Sequence, residues 1–137
     1  MDAPAASLQR VLLVTGSRTI HQAAVVNAVL DQVVDAIRPT CLMHGGARGV
    51  DQLAGAWATA RGLAVRVVRP DLVQWPVAAF GPGKAYVMRD LAMVIEAHVV
   101  VGIWDGTSKG TRHTVKEAKR LNKLHGVWDQ DGFRRPG

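Results

Sequence analysis

The chain has 137 residues, of which 48% are hydrophobic and 20% are charged, and its formal net charge at pH 7 is +6. This length is typical of one domain with its own core, and the composition is ordinary for a globular protein. The longest apolar run, residues 97–104, is too short to cross a bilayer, and the N-terminus lacks the pattern of a signal peptide. A single cysteine excludes an internal disulfide framework and favours the cytoplasm.

The basic balance favours polyanionic partners, which range from nucleotides to nucleic acids. Lysine and arginine are scattered, however, apart from the segment KEAKRLNK at 116–123 and the pair Arg134 and Arg135. A solvated helix face explains that segment as well as DNA binding does. One tyrosine and two phenylalanines also offer few rings for stacking on single strands. The sequence therefore disfavours nucleic acid as the partner.

Short apolar runs alternate with amphipathic ones along the chain. In chain order they predict a strand at 10–15, a helix at 21–37, a strand at 40–45, a helix beginning at Val50, a strand at 64–69, a structured loop at 70–82, a helix at about 84–96, a strand at 98–104 and a helix at about 110–124. The helix at 84–96 is expected to bury Met88, Ala92 and Ile95. We interpret residues 1–9 as a flexible leader, 10–128 as the domain and 129–137 as a polar tail.

Strands that alternate with helices predict parallel pairing and right-handed crossovers. The expected fold is α/β, a Rossmann-like three-layer sandwich whose mainly parallel sheet has four to five strands. Ligands of such sheets bind beyond the carboxyl ends of the strands, near the point where the strand order reverses. Glycine-rich polar turns follow the first, second and fourth predicted strands. These three turns should therefore meet at one edge of the sheet.

Each of the three turns combines glycine, a cation and hydroxyl or amide donors. Free N–H groups at helix starts suit anions such as phosphate, and Arg18, Arg48 and Lys109 add charge that can meet a diphosphate. One such turn alone is typical of a tight connection, whereas three at one edge predict a phosphate cradle. The spacings G-x-G-x-x-G and G-x-x-x-x-G-K-[ST] are both absent, which excludes an ordinary dinucleotide dehydrogenase and a P-loop ATPase.

Four motifs in this order resemble the SLOG superfamily, and most closely its small YspA-type branch. They are VTGSRT at 14–19, HGGARGVDQLAGAWA at 44–58, GPGKAYVMRDLAM at 81–93 and WDGTSKGTRHTVKEA at 104–118. The superfamily joins the DNA-processing A proteins and the lonely-guy phosphoribohydrolases. The resemblance implies a Rossmann-like pocket for a nucleotide or a nucleotide-derived ligand, such as ADP-ribose or NAD, and a homodimer.

Carried over by position, the resemblance places the ligand-binding residues in the three turns and on one helix. They are Gly16, Ser17, Arg18, Gly45, Gly46, Arg48, Gly49, Asp51, Arg89, Asp105, Gly106, Ser108, Lys109, Gly110 and Thr111. One departure concerns catalysis. The lonely-guy motif P-G-G-x-G-T-x-x-E has a glutamate that assists cleavage of the base–ribose bond, but Thr114 stands at that position here and Glu117 follows it too late.

Three functions stay open at this point. The first is capture of a nucleotide-derived ligand, as sensor or sequestering protein, with no cofactor and no metal site. The second is an N-glycosidase for nucleoside monophosphates, with Asp105 or Asp51 as weak catalytic candidates. The third is a DNA-associated protein that uses the face at 116–123. Asp51 has a structural alternative as an acid at a helix start, and Asp105 as a turn cap. Trp75 is a candidate base-stacking residue or a loop anchor.

Overall fold

The alternating pattern produces a five-stranded sheet between two helical layers in the computed structural model, which describes residues 8–136. Its elements are β1 (Val11–Gly16), α1 (Ala23–Ile37), β2 (Cys41–His44), α2 (Val50–Ala60), β3 (Ala64–Val67), α3 (Val77–Phe80), α4 (Lys84–Glu96), β4 (Val99–Ile103), α5 (Lys109–Arg120) and β5 (Leu124–Trp128). The sheet has the order β3-β2-β1-β4-β5, and every pair of neighbours is parallel. The predicted Rossmann-like α/β fold is confirmed.

Side chains of β1 enter two separate cores because they alternate across the sheet. Leu12 and Val14 pack in the core formed with α1 and α2. Val11 and Leu13 pack in the core formed with α4 and α5. All four are almost fully buried, since β1 has a strand on each side and helices above and below. This central position explains why the strand reads as a continuous apolar run.

Three predictions of local structure are wrong. The segment 70–82, predicted as a loop, contains the short helix α3 at Val77–Phe80. The last helix was expected to reach about 124, but α5 ends at Arg120 and Leu124 begins the fifth strand. On α4 the predicted burial has the wrong phase, because Ile95 is 68% exposed and Ala92 is exposed. The inner face carries Ala85 and Met93, with Arg89 between them at the same four-residue spacing. Because Arg89 interrupts the apolar face of α4, the pattern of hydrophobic residues does not predict which face is buried.

The residues that follow β5 pack against that strand. Residues 1–7 of the predicted leader lie outside the described residues. Residues after β5 fold back along it, with an antiparallel bridge between Trp128 and Arg134 and a 2.7 Å hydrogen bond from the N–H of Arg135 to the carbonyl of Val127. None of the helices in the described range is long and apolar enough to span a membrane.

The carboxyl end of β1 depends on close packing at Gly16. A Cβ there would lie 2.4 Å from Cβ of Val50 and 2.6 Å from the carbonyl oxygen of Ile103. We expect Gly16→Ala to lower the free energy of unfolding by about 1–3 kcal/mol, because α2 or β4 must shift. Urea denaturation measures the change.

Gly110→Ala is the matched control. Nothing lies within 4 Å of a Cβ at Gly110 in the first turn of α5, and alanine favours a helix over glycine by roughly 0.5–1 kcal/mol. This variant should be as stable as the wild type or more so. Equal losses in both variants would contradict the packing argument.

Candidate functional site

The three predicted turns meet at the carboxyl edge of the sheet. Strand order reverses between β1 and β4, and a cavity of about 310 Å³ opens beside that point. The predicted residues that line it are Gly16, Arg18, Gly45, Asp51, Arg89, Ser108, Gly110 and Thr111, joined by Thr15, Ala47, Tyr86 and Asp90. The remaining predicted residues lie outside this lining: Ser17, Gly46, Arg48, Gly49, Asp105, Gly106 and Lys109.

Three backbone N–H groups of the second turn donate to side chains of the same chain. Oδ2 of Asp51 accepts from the N–H groups of Gly45 and Ala47, each at 3.1 Å. Nδ1 of His44 accepts from the N–H of Gly46 at 2.9 Å. Asp51 is only 7% exposed. An internal carboxylate therefore occupies the position at which the sequence placed a phosphate.

Asp105 holds the third turn in a similar way. Its Oδ1 accepts from the N–H groups of Thr107 and Ser108, each at 2.9 Å. Its Oδ2 accepts from the hydroxyl of Thr19 at 2.7 Å, and its own N–H donates to Oγ of Ser17. The Thr107 N–H first, and then the Thr19 hydroxyl, hold the pKa of Asp105 well below its usual range. These contacts are those of a turn cap, which was the structural alternative for this residue.

Arg89 ties α4 to the second turn. Its side chain is 8% exposed, and its Nε lies 2.7 Å from Oδ1 of Asp90. Its Nη1 donates to the carbonyl of Gly45 at 2.7 Å and to that of Val68 at 3.3 Å. Burial raises the pKa of Asp90, while the adjacent guanidinium opposes that rise. The charge of Arg89 is therefore neutralised within the fold, and the residue positions the turn.

Cations that remain exposed stand around these internal contacts. Arg18 lies in the first turn, Arg48 in the second, Arg69 just after β3, and Lys109 at the start of α5. None of the four forms an ion pair with an acid within residues 8–136. We call Arg18, Arg48, Arg69 and Lys109 the cationic edge.

Arg69 and Tyr86 were missed by the sequence analysis. The guanidinium of Arg69 covers the second turn, since a Cβ on Gly46 would lie 2.9 Å from its Nη1. No glycine-rich turn follows β3, so the sequence around Arg69 contains no motif that predicts a site. Tyr86 is 40% exposed in the cavity, and Cζ of Arg89 lies 5.5 Å from its ring centre. Its position three residues before Arg89 on one helix was the available signal.

The segment at 116–123 is partly committed to internal contacts. Nζ of Lys123 donates to the carbonyls of Val94 and Ile95, at 2.9 and 2.7 Å, at the end of α4. Glu117 and Arg120 form an ion pair at 2.9 Å. The described residues also contain no group of three or more His, Cys, Asp or Glu side chains arranged to hold a metal ion.

The fold and this edge define a Rossmann-like α/β protein with exposed cations at the switch point of its sheet. Residues 10–75 match the model of the YspA, cpYpsA-related SLOG family. The gene 61 protein of Mycobacterium phage D29 is 34% identical over 113 residues, which cover 81% of this chain and 90% of that protein. The chain belongs to the YspA, cpYpsA-related SLOG family.

A solved structure shares the fold at lower sequence identity. DNA processing protein A from Helicobacter pylori, solved in a study of its single-stranded DNA binding mode, superposes with a TM-score of 0.63 and 16% identity. The match covers 93% of this chain and 68% of that one. At this identity the likeness establishes the architecture of the chain alone.

The prediction of a nucleotide-derived ligand, with nucleic acid disfavoured as the partner, is wrong. The structural neighbour binds single-stranded DNA, and the name of the phage relative, gene 61 protein, states no ligand. The structure supplies a physical reason. Five backbone N–H groups of the second and third turns donate to Asp51, His44 and Asp105, whereas the cations stay exposed. The cavity is also at the small end of the range for ligand pockets, roughly 300–1,000 Å³.

Asp51 makes the free energy of unfolding depend on pH. Burial raises its pKa from 3.8 to about 6, against the opposing effect of the Ala47 and Gly45 N–H groups and of Arg89. The folded protein thus holds this proton more tightly than the unfolded chain. Stabilisation by protonated Asp51 is complete below about pH 4 and is lost as the pH rises through 6.

Asp51→Asn removes this titration while keeping an oxygen that can accept from the turn. Between about pH 7 and pH 4 we expect the wild type to gain roughly 2 kcal/mol of stability relative to Asp51→Asn. Urea denaturation of both proteins across that range measures the gain. If the free energy of unfolding changes with pH in the same way in both proteins, the assignment to Asp51 is contradicted.

Proposed function

We propose that this protein binds single-stranded DNA across the carboxyl edge of its sheet, with the cationic edge contacting the phosphates. The observation that carries the proposal is the set of exposed cations, Arg18, Arg48, Arg69 and Lys109, which have no acidic partner among the described residues. The binding of single-stranded DNA by a protein of the same fold supports it.

The acids at this edge have hydrogen-bond partners other than the four cations. Asp51 is buried and accepts from backbone N–H groups, Asp90 is bonded to Arg89, and Asp105 accepts from two N–H groups and a hydroxyl. Asp51 is thus buried, whereas Asp105 lies in the surface turn that it caps. Each exposed guanidinium group can donate two hydrogen bonds to one phosphate, whereas a lysine ammonium meets a phosphate as a point charge.

Phosphate contacts position a strand without reading its sequence. The cationic edge therefore predicts binding that depends weakly on base sequence and steeply on salt. For single strands the logarithm of the binding constant falls against the logarithm of salt with a slope of about −0.7 per phosphate contacted. Four phosphate contacts would give a salt slope of about −3.

The test is fluorescence anisotropy with a labelled oligo-dT strand at several salt concentrations. We expect Arg18→Gln and Arg48→Gln each to weaken binding and to reduce the magnitude of the salt slope by about 0.7, because each removes one phosphate contact. Both side chains are exposed, and neither forms an ion pair among residues 8–136.

Arg38→Gln is the matched control. Arg38 is also exposed but follows α1 at the opposite, amino edge of the sheet. Its loss should leave both affinity and slope nearly unchanged. If Arg38→Gln weakens binding as much as the other two variants, the proposed location fails. If the wild type does not bind the strand at all, the proposed function fails.

A further inference from the structure

Three aromatic side chains follow β3 along the chain, two before α4 and one in its first turn. They are Trp75, Phe80 and Tyr86, and we call them the aromatic strip. The rings of Trp75 and Phe80 meet edge to face, with centroids 5.2 Å apart and an interplanar angle of 75°. Phe80 is 50% exposed and Tyr86 is 40% exposed, while Trp75 is half-buried. The sequence predicted only Trp75 as a candidate for stacking.

Two rings of this strip carry a cation. Nζ of Lys84 lies 5.2 Å from the ring centre of Trp75, and Cζ of Arg89 lies 5.5 Å from that of Tyr86. Lys84 and Tyr86 both belong to the first turn of α4, but side chains two residues apart on a helix do not face each other. Tyr86 lines the cavity with Arg18, so this ring of the strip adjoins the cationic edge.

Two valines close to the strip in the sequence are also exposed. Val73 is 93% exposed and Val77 is 51% exposed, on the same loop and on α3. Exposed apolar patches rimmed by polar groups mark interaction sites. A partner that suits this patch presents flat apolar faces and negative charge together. Nucleobases joined by phosphates have both properties.

We propose that the aromatic strip stacks the bases of a single strand whose phosphates lie on the cationic edge; this inference rests on the function proposed above. Aromatic side chains stack on any base, because every base has a π-face. Bases inside a duplex are already paired and stacked, so they cannot reach the strip. The strip would thereby select single strands over duplexes without selecting a sequence.

The decisive experiment compares two strands of equal length, oligo-dT and an abasic strand with the same sugar–phosphate backbone. The wild type should bind oligo-dT roughly 5- to 100-fold more tightly than the abasic strand, the range expected for stacking of one base. The salt slopes should be the same for both strands, since their phosphates are the same.

Variants of Tyr86 assign the difference to the strip. Tyr86→Ala should lose at least about 5-fold in affinity for oligo-dT and nothing for the abasic strand. Tyr86→Phe keeps the ring and should bind both strands as the wild type does. A direct readout comes from 2-aminopurine in the strand, whose fluorescence is quenched by stacking. The quenching should persist in Tyr86→Phe and fall in Tyr86→Ala.

The possible failures can be told apart. If the wild type binds both strands equally, with the expected salt slope, stacking is overturned and the proposed function stands. If it binds neither strand, the proposed function itself falls, and stacking with it. If sedimentation shows dimers that Phe80→Ala dissociates without changing affinity for oligo-dT, the strip is an interface between two copies and the inference is overturned.

Discussion

The site is organised around one buried contact, in which Gly45 lies between Arg89 and Asp51. Asp51 accepts from the N–H of Gly45, and Arg89 donates to its carbonyl. A Cβ at this position would lie 2.8 Å from Nη1 of Arg89 and 3.2 Å from Oδ2 of Asp51. Only glycine lets both charged groups approach the backbone. The contact joins β2, α2 and α4, and it thereby fixes the shape of the edge.

This arrangement changes the way in which the edge can meet an anion. In a phosphate cradle the backbone supplies fixed donors, and the ligand must match their geometry. Here several backbone donors bind internal acceptors, and exposed side chains on flexible stems supply the positive charge at the surface. Such side chains can follow an irregular chain of phosphates. Their adaptability suits a long polyanion better than one small ligand of fixed shape.

Much of the fold followed from the sequence because apolar runs and glycine turns report local structure. Parallel pairing then brought the three turns together without further information. The rest depends on contacts between distant residues. The sequence does not reveal that Asp51 satisfies the N–H groups of the second turn, or that Arg89 faces inward. The composition shows few aromatic residues, but it does not show that Trp75 contacts Phe80 or that Tyr86 lines the cavity with Arg18.

The return of the chain along β5 bears on solubility as well as on shape. An open parallel sheet leaves unpaired backbone groups on its outer strands, which can pair with another molecule and start aggregation. On β5, Arg134 donates to the carbonyl of His125, and the backbone of Arg135 to that of Val127. On β3, Arg66 forms an ion pair with Glu96. One outer strand is thus capped by its own chain, and the other bears a charge that opposes growth of the sheet.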